Sequence, residues 1–141
     1  MQEGFVVPLD PSAFLADPEL LGVLSQHAQP VDCATDRVLF CQDDPVSGLY
    51  ILHEGRIALS MTSQGGKTIL SAEAKDGSLL GLPGLISKQP YSLTAVAHSG
   101  AKVSFLDHDA FTALMESGPE LSFKILRVLA AEVRAARYAL F

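Results

Sequence analysis

Residues 79–97 read LLGLPGLISKQPYSLTAVA, and the residue types come in the order of a small anion cradle. Gly81 and Gly84 let backbone approach a ligand closely. A short apolar helix through Leu82 and Leu85 would present its first N–H groups, and Ser92 and Thr94 carry hydroxyls that can donate to a phosphate. The cradle is short of charge: between Gly81 and Ala97 the one side chain charged at neutral pH is Lys88, three residues upstream of Tyr91. These eight residues are the candidate ligand-binding set. Each also has a plain structural use. Glycines form tight turns, Ser92 and Thr94 can face solvent from a strand, and Lys88 in SKQP suits a solvated tip. Leu82 and Tyr91 fit an aromatic or lipophilic ligand and equally a collapsed pocket.

Other chemistry finds little support. His27, His53, His98 and His108 are scattered without ligand-like spacing, so no metal site is expected. Cys33 and Cys41 are too few for a disulfide framework and match no common zinc spacing, which makes them small strand residues. No paired carboxylates and no nucleophile with a nearby base stand out, so the chain reads as a binding protein and not an enzyme.

The 141 residues, 48% apolar, suffice for one domain with one core. A formal charge of −6 and a pI near 5.0 oppose non-specific attraction to nucleic acid or anionic lipid. The first 24 residues lack the basic n-region and unbroken apolar core of a signal peptide, and no run approaches the roughly 20 apolar residues of a membrane span. A cytoplasmic protein is expected.

The elements that must position the cradle follow from periodicity. Residues 1–28 are expected to carry short N-terminal helices, with Asp17 as cap, Pro18 in the first turn, and Leu20, Leu21 and Leu24 on one face. Residues 31–107 change to short β-rich runs, RVLFC, GLYILHEGRIALSMT, KTILSAEA, SLTAVA and AKVSFLD, separated by Gly, Pro, Asp and Ser clusters. That density of short strands predicts a β-roll or barrel, with turns at HEGR and SQGGK. Residues 109–141 return to helical spacing. Gly118-Pro119 separates two helices, and the longer one carries Leu121, Ile125 and Val128 on one stripe. A second stripe, Leu126, Leu129, Val133, Ala136 and Leu140, repeats at three and four, as in a coiled coil. One roll would not cover both stripes, so the second predicts a homodimer interface. Lys124, Arg127, Arg134 and Arg137 read as its solvated flank.

This order of elements resembles the cyclic-nucleotide-binding domain of the Crp/Fnr superfamily. GLYILHEGRIAL is similar to the family's Leu-Tyr-x-Ile-x-x-Gly-x-Val segment, LLGLPGL falls at its Phe-Gly-Glu-x-x-Leu stretch, and PYSLTAVA at its Pro-Arg-Ser-Ala-Thr-Val-x-Ala. The resemblance implies a mainly β fold with flanking α-helices: a jelly-roll-like double-stranded β-helix, with a short cassette helix within residues 79–97 and a long C-terminal dimerisation helix. It also implies that residues 79–97 are a phosphate-binding cassette whose helix N-terminus meets a cyclic phosphate, and that the occupant is a cyclic nucleotide or another small ligand.

By position, Gly81 matches the family glycine, Leu82 replaces the glutamate that holds the ribose, and Tyr91 replaces the arginine that pairs with phosphate. Ser92 and Thr94 match the hydroxyl positions. Hydrogen bonds to charged groups contribute about 1.5–3 kcal/mol each, so losing two weakens a family-like complex by about 10²- to 10⁴-fold. Three explanations stay open: another ligand, with Tyr91 as gate or stacking surface; Lys88 in place of the arginine; or a relic used for packing. In the family's transcription factors the long helix leads to a helix-turn-helix domain. Here it runs to Phe141, so no direct nucleic-acid binding by this chain is expected. The favoured expectation is a dimeric ligand-sensing regulatory module with altered or weakened nucleotide binding. The alternatives are the sensing part of a Crp/Fnr regulator whose DNA-binding domain is absent, and a ligand-free dimeric interaction module.

Overall fold

The computed structural model describes residues 6–139, so Leu140 lies outside the described residues. Strand β1 (Val7–Pro8) and a 3-10 helix (Pro11–Phe14) precede α1 (Pro18–Gln26). Asp17 caps α1 by accepting from the Leu20 amide at 2.8 Å, with Pro18 in the first turn, where its missing N–H costs nothing.

Eight further strands follow: β2 (Gln29–Val31), β3 (Arg37–Phe40), β4 (Gly48–Glu54), β5 (Ile57–Thr62), β6 (Thr68–Ala74), β7 (Ser78–Leu80), β8 (Thr94–Ala97) and β9 (Lys102–Asp107). They form two sheets, ordered β1-β6-β5-β8-β3 and β2-β9-β4-β7. Every pairing is antiparallel except β1 with β6. The expected β-roll is therefore present, with α2 (Leu82–Ser87) inserted between β7 and β8. The β1, β2 and β7 strands have two or three residues, too few for an alternation to show. The two cysteines are not in strands. Cys33 and Cys41 lie just beyond β2 and β3, where the carboxylates of Asp32 and Asp44 accept from the amides of Ala34 and Cys41 and turn the chain. Both are free thiols, Cys33 buried and Cys41 exposed.

Strand β4 explains how one roll supports two apolar layers. Successive side chains point to opposite faces, so Leu52 and Tyr50 enter the roll interior beside Phe40, Leu59 and Leu80, while Leu49 and Ile51 face the helices with Leu79 and Leu106. Both faces of GLYIL are covered, which is why it reads as a continuous apolar run. Over the second face lie α1, α3 (His108–Glu116) and α4 (Pro119–Ala139), through Leu20, Leu24, Phe111, Ile125 and Val128.

Helix α4 is held by its first stripe. Ile125 and Val128 are buried, Ala135 and Ala139 pack against the roll interior's cluster, and the Lys124 ammonium pairs with Asp17 at 2.8 Å. Its second stripe stays open: Leu126 and Val133 are 54% and 50% exposed, Ala136 is exposed and Leu129 is partly buried.

Candidate functional site

Between the end of β7, the turn into α2, the start of β8 and the middle of α4 lies a cavity of about 20 Å³. Cavities hold a water from about 10–15 Å³ upward, so it admits one or two water-sized groups. Its apolar wall is Phe14, Phe40, Leu59, Leu80 and Leu93; the remaining lining comes from Gly81, Pro83, Gly84, Tyr91, Ser92 and Glu132.

The two glycines fit their positions closely. Gly81 has φ +101°, a left-handed conformation, and a Cβ there would come 2.9 Å from Tyr91 Cε1 and 3.3 Å from the Gly48 carbonyl. At Gly84 a Cβ would lie 2.7 Å from Val46 Cγ2 and 2.8 Å from the Gln89 carbonyl. Here the glycines serve the close approach of the chain to itself.

Tyr91 is held from several sides. It is 3% exposed, its ring stacks on Phe40 with centroids 4.1 Å apart, and its hydroxyl donates to the Gly48 carbonyl at 2.8 Å. The same oxygen accepts from the amides of Ser47 and Gly48 at 3.3 Å. Its backbone pairs with the Asp43–Asp44 loop in both directions. Tyr91 therefore joins the stretch leading into β8 to the loop before β4, with its hydroxyl already committed.

The eight candidates from the sequence divide evenly. Gly81, Gly84, Tyr91 and Ser92 line the cavity. Leu82 and Leu85 turn into the helical layer with Leu79 and Leu106. The Thr94 hydroxyl accepts from the Gln42 amide at 2.9 Å and fixes that loop instead. Lys88 is exposed, ends α2 in a left-handed conformation, and borders a separate surface hollow with Pro45, Val46 and His108. It is not among the residues that line the cavity.

Glu132 is the residue that sequence reasoning missed. Its Oε2 is shielded from solvent and has no hydrogen-bond partner among the described residues. Burial pushes its carboxyl up to about 8 from an ordinary 4.5, with no neighbouring charge contributing. The signal was a spacing: Leu121, Ile125, Val128, Glu132, Ala135 and Ala139 recur at four, three, four, three and four. A carboxylate on the core-facing stripe of a helix is a buried carboxylate.

The cavity thus has an apolar wall, an exhausted tyrosine hydroxyl, one serine and one unpaired carboxyl. Among the described residues no Lys, Arg or His lines it. Among the described residues no three His, Cys, Asp or Glu side chains are grouped to hold a metal ion, and no helix is long and apolar enough to cross a membrane.

Known proteins resemble the chain in sequence and in fold. The profile of the cyclic nucleotide-binding domain family matches residues 30–117. The CRP-like cAMP-activated global transcriptional regulator of Mycobacterium tuberculosis is 25% identical over 118 residues, which are 84% of this chain and 53% of that regulator. The chain spans about half the length of that relative. The catabolite activator protein of Thermus thermophilus superposes with a TM-score of 0.76 at 25% identity, over 88% of this chain and 58% of that one. The N-terminal domain of a transcriptional regulator from Streptomyces coelicolor does so with a TM-score of 0.64 at 28% identity, over 84% of each chain.

Proposed function

The chain belongs to the cyclic nucleotide-binding domain family, and from that premise we propose that it is a ligand-sensing regulatory module whose sensing site is the cavity between the roll and α4. One observation carries the reading: α4 contributes Glu132 to the same cavity that the Gly81–Gly84 turn and Tyr91 line. An occupant must therefore meet both the roll and the helix, and a ligand that favours one placement of α4 shifts its population. This is the work of a binding protein, and the same reading puts it in the cytoplasm.

Nucleotide binding is altered and weakened in this reading. The arginine position holds a tyrosine with a committed hydroxyl, Leu82 is turned away, and a carboxyl group lines the same cavity. Calorimetric titration with cAMP and cGMP tests this. Binding weaker than micromolar is expected, and a micromolar complex with either would refute it.

The output surface is the exposed stripe of α4. Leu126, Leu129, Val133 and Ala136, continued by Leu140 in the sequence, form the homodimer contact, and movement of α4 alters it. A transcriptional role exerted through a further DNA-binding region is a second reading, favoured by likeness to half of the mycobacterial regulator.

A further inference from the structure

We propose that the cavity selects a small organic cation, an amine or amidine on a compact apolar body, whose N–H groups are taken by the Glu132 carboxylate. The proposal rests on the reading of this cavity as the sensing site and adds the chemical class of its occupant.

The lining supports a cation by what it offers and what it withholds. Glu132 Oε2 is a buried acceptor without a donor among the described residues, and buried polar atoms are ordinarily paired. Around it stand Phe14, Phe40, Leu59, Leu80 and Leu93, which suit an apolar body. An anion would find neither a cationic side chain nor a free tyrosine hydroxyl, and would face the carboxyl group directly. The cavity is about 20 Å³, so the charged end enters first and the apolar body displaces α4 around Glu132 and Ala135. Occupancy is thereby tied to helix position.

Proton balance gives the proposal a signature. The Glu132 carboxyl holds its proton until about pH 8, so an ammonium that binds below that pH replaces the proton, which leaves to solvent. Affinity then rises with pH up to about 8 and levels above it. An anion shows the reverse. Among the other described residues that line the cavity, Tyr91 carries the one ionisable side chain. The 3-10 helix and α2 contribute Phe14, Pro83 and Gly84, none of them charged. On α4 itself Arg127 and Arg134 line a different groove together with Asp10, and Arg137 is exposed.

The test is a ¹H–¹⁵N NMR titration of the whole chain with benzylamine, benzyl alcohol, benzoate and cAMP at pH 7 and 8.5, in the natural sequence and in Glu132→Gln. Benzylamine is expected to shift the amides of Gly81, Gly84 and Tyr91, to bind about eightfold tighter at pH 8.5 than at pH 7, and to lose at least about tenfold in Glu132→Gln. Benzoate and cAMP are expected to leave those amides in place. Benzoate or cAMP binding where benzylamine does not, or equal benzylamine binding by Glu132→Gln, overturns the cation and leaves the sensing site standing. No response at the cavity amides to any probe overturns both. If Glu132→Gln does not fold, the pH dependence in the natural sequence decides by itself.

Discussion

Replacing Glu132 by glutamine should make the protein more stable at alkaline pH and change little at acid pH. In the unfolded chain this carboxyl ionises near 4.5, and in the folded protein it holds its proton to about 8. Between those values the folded state binds more protons than the unfolded state, so stability falls as pH rises. The contribution is fully present below about 4.5 and lost once pH has passed about 8. At about 1.4 kcal/mol per pH unit the whole interval comes to about 5 kcal/mol, and relaxation of α4 that lets water reach the carboxylate lowers it toward about 3 kcal/mol. Domains of this size have only about 5–15 kcal/mol in total, so the α4 contact is weakest above pH 8. Urea unfolding followed by circular dichroism at pH 5, 7 and 9 measures it. The natural protein should lose stability relative to Glu132→Gln across this series, by about 2–4 kcal/mol in all. Parallel pH curves for the two proteins would refute the burial of this carboxyl.

Three further outcomes are expected. Tyr91→Phe removes a hydroxyl that donates to the Gly48 carbonyl and accepts from two amides, at a cost of about 1–3 kcal/mol in urea unfolding; an unchanged midpoint would mean water replaces it freely. The homodimer proposed through α4 should become a folded monomer in light scattering on Leu126→Asp with Val133→Asp, since both positions are about half exposed in the single chain; dimers that persist would place the interface elsewhere. Asp17→Ala loses the cap of α1, costing about 1 kcal/mol, together with the Lys124 contact to α4. Lys124 holds the Asp17 carboxyl below its ordinary range, so this contribution is present above that range and lost as pH falls through the lowered value, which acid titration of the variant against the natural protein would reveal.

Much of this architecture was legible in one dimension because it depends on local rules. Short β-rich runs separated by Gly, Pro, Asp and Ser clusters marked the longer strands, Asp17-Pro18 marked the start of α1, and Gly118-Pro119 marked the break before α4. The two stripes of α4 were also readable, because helical spacing alone assigns residues to faces. The absence of an arginine at Tyr91 was visible before any fold was known.

Tertiary structure decided which way the cassette faces and what completes its cavity. Leu82 and Leu85 share a short stretch with Gly81 and Gly84, yet they turn into the helical layer while the glycines stay at the cavity. Lys88, three residues before Tyr91 in sequence, points to another surface because α2 ends there in a left-handed turn. Glu132, 41 positions beyond Tyr91, closes the cavity because α4 folds back across the roll. Sequence determined the faces of α1 and α4 and the positions of the longer strands, which are local properties of the backbone. Only the packing of α4 on the roll could place a carboxyl group where the cassette's charged partners were missing, because that contact joins residues the chain keeps far apart.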